Sequence, residues 1–171
     1  FDVCIVIDAS SQSFDPAVMN AIRSVIRDEG LGLIFSTGRR NAGSIDNDKL
    51  WSTLLPIKNA PLTHHRLSRA RFTDEAIRFG ISWSDIGNAL NSQSPSSLEM
   101  RLPPLRVLGP CEPNRLGAVL TEDSNGPMLI TQFAGAGQVI FQATDETYRW
   151  RTYNGNDAFY NRYWMELIGT T

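Results

Sequence analysis

The chemistry that this sequence could perform rests on a few side chains. Ser36 follows Leu33-Ile34-Phe35 and precedes Thr37-Gly38. A nucleophile elbow needs a Ser or Cys among small residues on a sharp strand-to-helix turn, so that the attacking atom stands clear of the sheet. Here Ile34 occupies the place, two residues upstream, where an elbow carries glycine. A serine nucleophile also needs a base within about 3 Å. The candidates are the neighbours His64 and His65. In extended chain their side chains point opposite ways, so one at most could serve. No carboxylate motif stands beside them to fix a tautomer. The simpler readings compete: a hydroxyl that satisfies local backbone groups, and a histidine pair in a surface loop.

Arg39 and Arg40 come next, flanked by Gly38 and Gly43. Guanidinium groups and glycines after a strand can hold an anion. There is no P-loop lysine and no GxGxxG, so a basic surface turn is the competing reading. Further on, the apolar run Val139-Ile140-Phe141 stops at Thr144-Asp145-Glu146. A polar exit from a buried strand is where ligands bind in open α/β sheets. Arg39, Arg40, Asp145 and Glu146 therefore form the ligand-binding set, against the alternative of a solvated acidic turn. Asp46, Asp48, Asp145, Glu146 and Asp157 show no metal-ligand spacing. Cys4 lies in an apolar run and Cys111 in a turn, which makes neither a metal site nor a disulfide framework. No metal or cofactor is expected. Trp150, Arg151 and Tyr153, near Phe159 and Trp164, could line a recognition surface. Helical spacing favours a packing role instead.

These residues need a frame. Residues 3–7 read as a strand buried on both faces, with Asp8 at its end. Asp15-Pro16 starts a helix whose apolar face is Val18, Ile22, Val25 and Ile26, and Gly30 stops it. Residues 31–35 are the next strand, so the pair should be a parallel, right-handed βαβ unit. A short helix is expected over 50–55, irregular chain over 57–67, a short strand at 71–73 and a few helical turns over 74–79. Residues 88–97 are polar and small. Strands are expected at 105–108, 117–120, 128–133 and 139–143, with a hairpin at Asn125-Gly126. Asn156 should cap a last helix with Tyr160, Tyr163, Trp164, Leu167 and Ile168 on its apolar face, ending at Gly169. The result is an α/β chain whose sheet is mostly parallel, with an antiparallel β-meander in its second half.

At 171 residues the chain suffices for a single domain over 1–171. Its formal net charge of -2 argues against nucleic acid as a partner. No apolar run approaches the roughly 20 residues that span a bilayer, so direct membrane insertion is not expected. The first residue, Phe1, falls within a strand pattern, and the expectation is a soluble piece of a longer polypeptide.

Several blocks together resemble the class I glutamine amidotransferase-like domains. They are Phe1-Asp2-Val3, Gly32-Leu33-Ile34-Phe35, Leu54-Leu55-Pro56-Ile57 and Phe72-Thr73-Asp74-Glu75. Leu102-Pro103-Pro104-Leu105, Ala118-Val119-Leu120 and Gly135-Ala136-Gly137-Gln138-Val139 follow. The last are Ala143-Thr144-Asp145-Glu146-Thr147-Tyr148-Arg149-Trp150-Arg151 and Phe159-Tyr160-Asn161-Arg162-Tyr163-Trp164. The resemblance is to the subgroup found in large bacterial proteins that often carry a von Willebrand factor A domain and membrane segments. It implies a three-layer α/β/α sandwich of flavodoxin-like kind, and a first strand and helix upstream of Phe1. It also implies a parent chain anchored in the bacterial envelope, whose other domains are the partners. Working members carry a cysteine on the elbow and a His-x-Glu element after a late strand. In this sequence the elbow matches Ser36 or Thr37, and the late strand exits into Thr144-Asp145-Glu146 without a histidine. The expectation is a non-catalytic module with a binding or structural role. Two alternatives stand beside it. One is a degenerate hydrolase with Ser36 as nucleophile and His64 or His65 as base. The other is a small-anion or sugar-binding domain using Arg39, Arg40 and Asp145.

Overall fold

The computed structural model describes residues 2–41, 45, 51–58, 64–81, 102–155 and 157–171. A six-stranded sheet runs through it. The strands are β1 (Val3–Ile7), β2 (Gly32–Ser36), β4 (Arg71–Phe72), β6 (Ala118–Asp123), β7 (Gly126–Ala134) and β8 (Gly137–Gln142). Their spatial order is β1-β2-β8-β7-β6-β4. The β1–β2 and β2–β8 pairs are parallel, while β8–β7, β7–β6 and β6–β4 are antiparallel. The sheet is therefore mixed, and the expectation of a mostly parallel one is corrected. Strand β8 belongs to both halves. The meander is real, but it contains β6, β7 and β8 only. The expected strand near Leu105, β5 (Leu105–Gly109), leaves it to pair antiparallel with β3 (His64–Ser68) in a separate two-stranded sheet. That region of 57–67 was expected to be irregular. His64-His65-Arg66-Leu67 lacks strong strand formers, and β5 supplies the pairing.

Register decides the layers. Phe35 pairs with Phe141 and Ser36 with Gln142, so the two phenylalanines share one face and the two polar residues the other. Trp51 of α2 (Trp51–Leu54) lies 4.8 Å from Phe35, ring centre to ring centre. Tyr163 of α4 (Ala158–Thr170) donates a hydrogen bond to Gln142 on the opposite face. Helices thus cover both faces of an open α/β sheet. Between them lies one buried cluster that includes Leu33, Ile34, Phe35, Val139, Ile140, Phe141 and Leu167.

Helix α1 (Pro16–Ser24) begins as expected, with the Asp15 carboxylate accepting from the Ala17 amide at 2.7 Å. It continues as a wider turn over Val25–Glu29 and ends at Gly30, whose φ is +82°. Met19 and Ile26 are its buried residues, and Val18, expected on the core face, is exposed. Strand β1 also departs from expectation. Among the described strands it is the outermost, with Ile5 and Ile7 exposed at 43% and 55%. Its continuous apolar run predicts burial on both faces, but the described helices cover only one side of it.

Two short elements match. Strand β4 leads to α3 (Asp74–Arg78), capped by Thr73, and Gly80 turns the chain at φ +82°. The β6–β7 hairpin turns through Ser124-Asn125, one residue earlier than expected, because Asp123 pairs with Gly126. At the last helix the N-cap is Asp157, and Asn156 lies outside the described residues. Phe159, Tyr163, Glu166 and Leu167 are buried, Ile168 is exposed, and the helix passes through Gly169. The serine-rich 88–97 segment, Asp46 and Asp48 also lie outside the described residues. Among those described, no helix is long and apolar enough to cross a membrane.

Candidate functional site

Parallel strands β1, β2 and β8 all end on the same side of the sheet, and that brings Asp8, Ser36–Gly38 and Thr144–Glu146 together. The ladder continues past the strand ends. The Asp8 amide donates to Ser36 O at 2.8 Å and the Thr37 amide to Gln142 O at 2.9 Å.

Ser36 is 1% exposed. Its Oγ donates to Thr144 O at 2.6 Å and accepts from Gln142 Nε2 at 3.0 Å. The other Gln142 amide hydrogen reaches Thr144 O at 2.8 Å. Tyr163 donates to Gln142 Oε1, and burial pushes the pKa of its phenol up. Every polar atom of this network has a partner, as a dry interior requires. Thr37, the other elbow candidate, is also 1% exposed.

The carboxylates differ in character. Asp8 sits at φ +45°, a conformation that Asp tolerates better than most residues. Its Oδ1 accepts from the Asn41 amide at 3.1 Å, and Asn41 Nδ2 donates to its backbone oxygen. Gly38 lies between Asp8 and Asp145. A Cβ there would stand 2.5 Å from Asp8 Cγ and 2.8 Å from its Cβ, and closer still to Asp145 Oδ2. Asp145 titrates above the usual aspartate range. Burial raises its pKa first. Its own amide pulls it down, Asp8 and Glu146 push it up, and Arg39 draws it back. Glu146 behaves oppositely. Burial would raise its pKa, but the Arg106 amide at 2.9 Å and the Arg149 guanidinium at 3.0 Å hold it below the usual range.

Of the expected ligand set, then, Arg39 and Asp145 are close enough to interact electrostatically. Arg40 is an exposed turn residue. Glu146 is committed to the β5 backbone and the 3-10 segment Glu146–Gly155. His64 and His65 lie in β3, in register with Gly109 and Leu108, and their side chains lie outside the described residues. Both thiols are held protonated by burial, Cys4 above its usual range and Cys111 at about 12. Trp150 packs edge-on to Phe159 and Tyr163 at 5.3 and 5.2 Å, Arg151 is exposed, and the side chain of Tyr153 lies outside the described residues. No group of three or more metal-binding side chains occurs among the described residues.

Two partners were missed in the sequence reading. Asp8 ends the first strand, and parallel pairing with β2 makes its meeting with the Ser36 loop a geometric consequence. Gln142 sits one strand over from Ser36 on the same face, but only the β2–β8 register reveals it.

The fold and this cluster define an open, mixed α/β sheet with helices on both faces and a polar rim where its parallel strands end. No family model matches the sequence, nor does any curated relative. Three solved structures are similar to it. Cytoplasmic Protein STM3548 from Salmonella typhimurium aligns with a TM-score of 0.65 and 12% identity, over 99% of this chain and 71% of that one. Cytoplasmic Protein STM1381 from Salmonella typhimurium LT2 aligns with a TM-score of 0.65 and 15% identity over the same shares. Exo-beta-1,4-mannosidase Op5Man5 from Opitutaceae bacterium strain TAV5 aligns with a TM-score of 0.53 and 13% identity, over 98% of this chain and 25% of that enzyme. At such identities the likeness is one of fold alone.

Proposed function

We propose that this chain is a non-catalytic module of the class I glutamine amidotransferase-like kind, of flavodoxin-like topology, serving a binding or structural role in a larger, envelope-associated protein. The observation that carries the reading is the state of Ser36. A serine nucleophile must present its hydroxyl to a base and to substrate. Here the hydroxyl is buried and spends its hydrogen on Thr144 O, while Gln142 occupies its lone pair. The buried, protonated state of Cys111 and the raised pKa of Cys4 support the same reading, because the thiolate is the reactive form. The paired carboxylates of Asp8 and Asp145 weigh against a small anion beside Arg39, since like charges repel.

Glutaminase and esterase assays test this. The expected result is no turnover above background, unchanged by Ser36→Ala. Turnover that Ser36→Ala abolishes would establish the hydrolase alternative instead.

A further inference from the structure

A small cavity lies inside the molecule, between the sheet, α4 and the 3-10 segment. Its volume is about 10 Å³, and no residue that lines it is more than 4% exposed. That is room for one water molecule and for no larger ligand. Among the described residues no charged side chain lines it. An ion would lose its hydration there without a counter-charge, which an interior does not tolerate.

The polar part of the lining comes from three directions. Leu129 of β7 pairs with Gln142 on the face that α4 covers, and Thr121 of β6 pairs with Leu129. Tyr163 reaches the same face from α4, where it donates to Gln142 Oε1. Thr144 and Thr147 come from the chain that leaves β8.

Two hydroxyls in this lining are buried and unspent. Thr121 and Thr147 are 4% and 3% exposed. Neither hydroxyl is hydrogen-bonded to a described group. A hydroxyl carries one donor and two lone pairs, and leaving it unpaired in the interior costs stability. Beside them, Thr144 Oγ1 accepts from the Glu146 amide at 3.0 Å, and its own hydrogen goes to no described group. The Tyr163 oxygen has given its hydrogen to Gln142 and keeps its lone pairs.

We infer that this cavity binds one structural water molecule, held by the Thr121 and Thr147 hydroxyls. A buried water makes about three hydrogen bonds. The Thr144 hydroxyl and the Tyr163 oxygen are the further partners in the lining. The water ties β6 and the 3-10 segment to the polar network of Ser36 and Gln142. The site does not depend on the function proposed above.

A high-resolution crystal structure of the full chain, with thermal unfolding of a variant, tests it. The map should show a density peak about 3 Å from both threonine oxygens. Thr121→Val keeps the shape of the side chain and removes its hydroxyl. It should lower Tm by about 2–4 °C, because the water loses a partner. In a cavity without water the same change would raise Tm, since an unpaired buried hydroxyl gives way to a methyl group. No peak, a peak out of hydrogen-bond reach of either threonine, or a Tm that does not fall would overturn the inference.

Discussion

Two sets of polar groups share the carboxyl end of the central strands and have opposite electrostatic characters. Ser36, Gln142, Thr144 and Tyr163 are buried, neutral and mutually bonded. Asp8, Gly38 and Asp145, their immediate neighbours in sequence or across the sheet, crowd two carboxylates around a residue that has no room for a methyl group. The first set is a device of the core. The second stores repulsion at a half-open rim, offset in part by Arg39. The difference teaches that position at a strand end does not make a reactive group. What decides is whether its protons and lone pairs are already spent.

The comparison can be broken most severely at Gly38. Gly38→Ala should destabilise the fold by about 2–3 kcal/mol in denaturant unfolding, since the new methyl meets Asp8 near its backbone. A neutral effect would mean that the carboxylates are not crowded there. Tyr163→Phe comes next. It leaves Gln142 Oε1 buried without its donor, and about 1–3 kcal/mol should be lost. Ser36→Ala should cost less, about 1 kcal/mol, because Gln142 Nε2 still satisfies Thr144 O. If Ser36→Ala proved the costlier of the two, the network would be organised around the hydroxyl and not around the glutamine.

The smallest effects concern pH, and they have opposite signs at adjacent residues. Asp145 has a raised pKa in the folded state, so its charge opposes folding above that value. As pH falls through the raised value toward the ordinary one, stability should rise, and Asp145→Asn should remove that rise. Glu146 has a lowered pKa, so its contribution is complete above the ordinary glutamate value. It is lost as pH falls through the depressed one, and Glu146→Gln should remove that loss. Denaturation midpoints across the acid range check both. Equal slopes for the two variants would show that the carboxylates share one environment.

Much of the frame was legible before any coordinates. The βαβ opening, the Asp15 cap, the Gly30 stop and the antiparallel run of β6 to β8 follow from local patterns, and local patterns survive in the fold. What could not be read is set by long-range pairing. Nothing in residues 3–7 says that β1 is an outer strand. Nothing in His64–Ser68 announces a strand, because its partner lies about forty residues away at Leu105–Gly109. The site divides in the same way. Ser36 and Asp145 were found as strand-end residues. Gln142, which decides the state of Ser36, sits inside an apolar run and shows its role only through the parallel register of β2 with β8.

The central claim is that the Ser36 hydroxyl is a structural group. Intact-mass measurement after exposure to a serine-directed fluorophosphonate reads this most directly. The account predicts an unmodified mass for the folded chain. A stoichiometric adduct that maps to Ser36 and disappears in Ser36→Ala would contradict it.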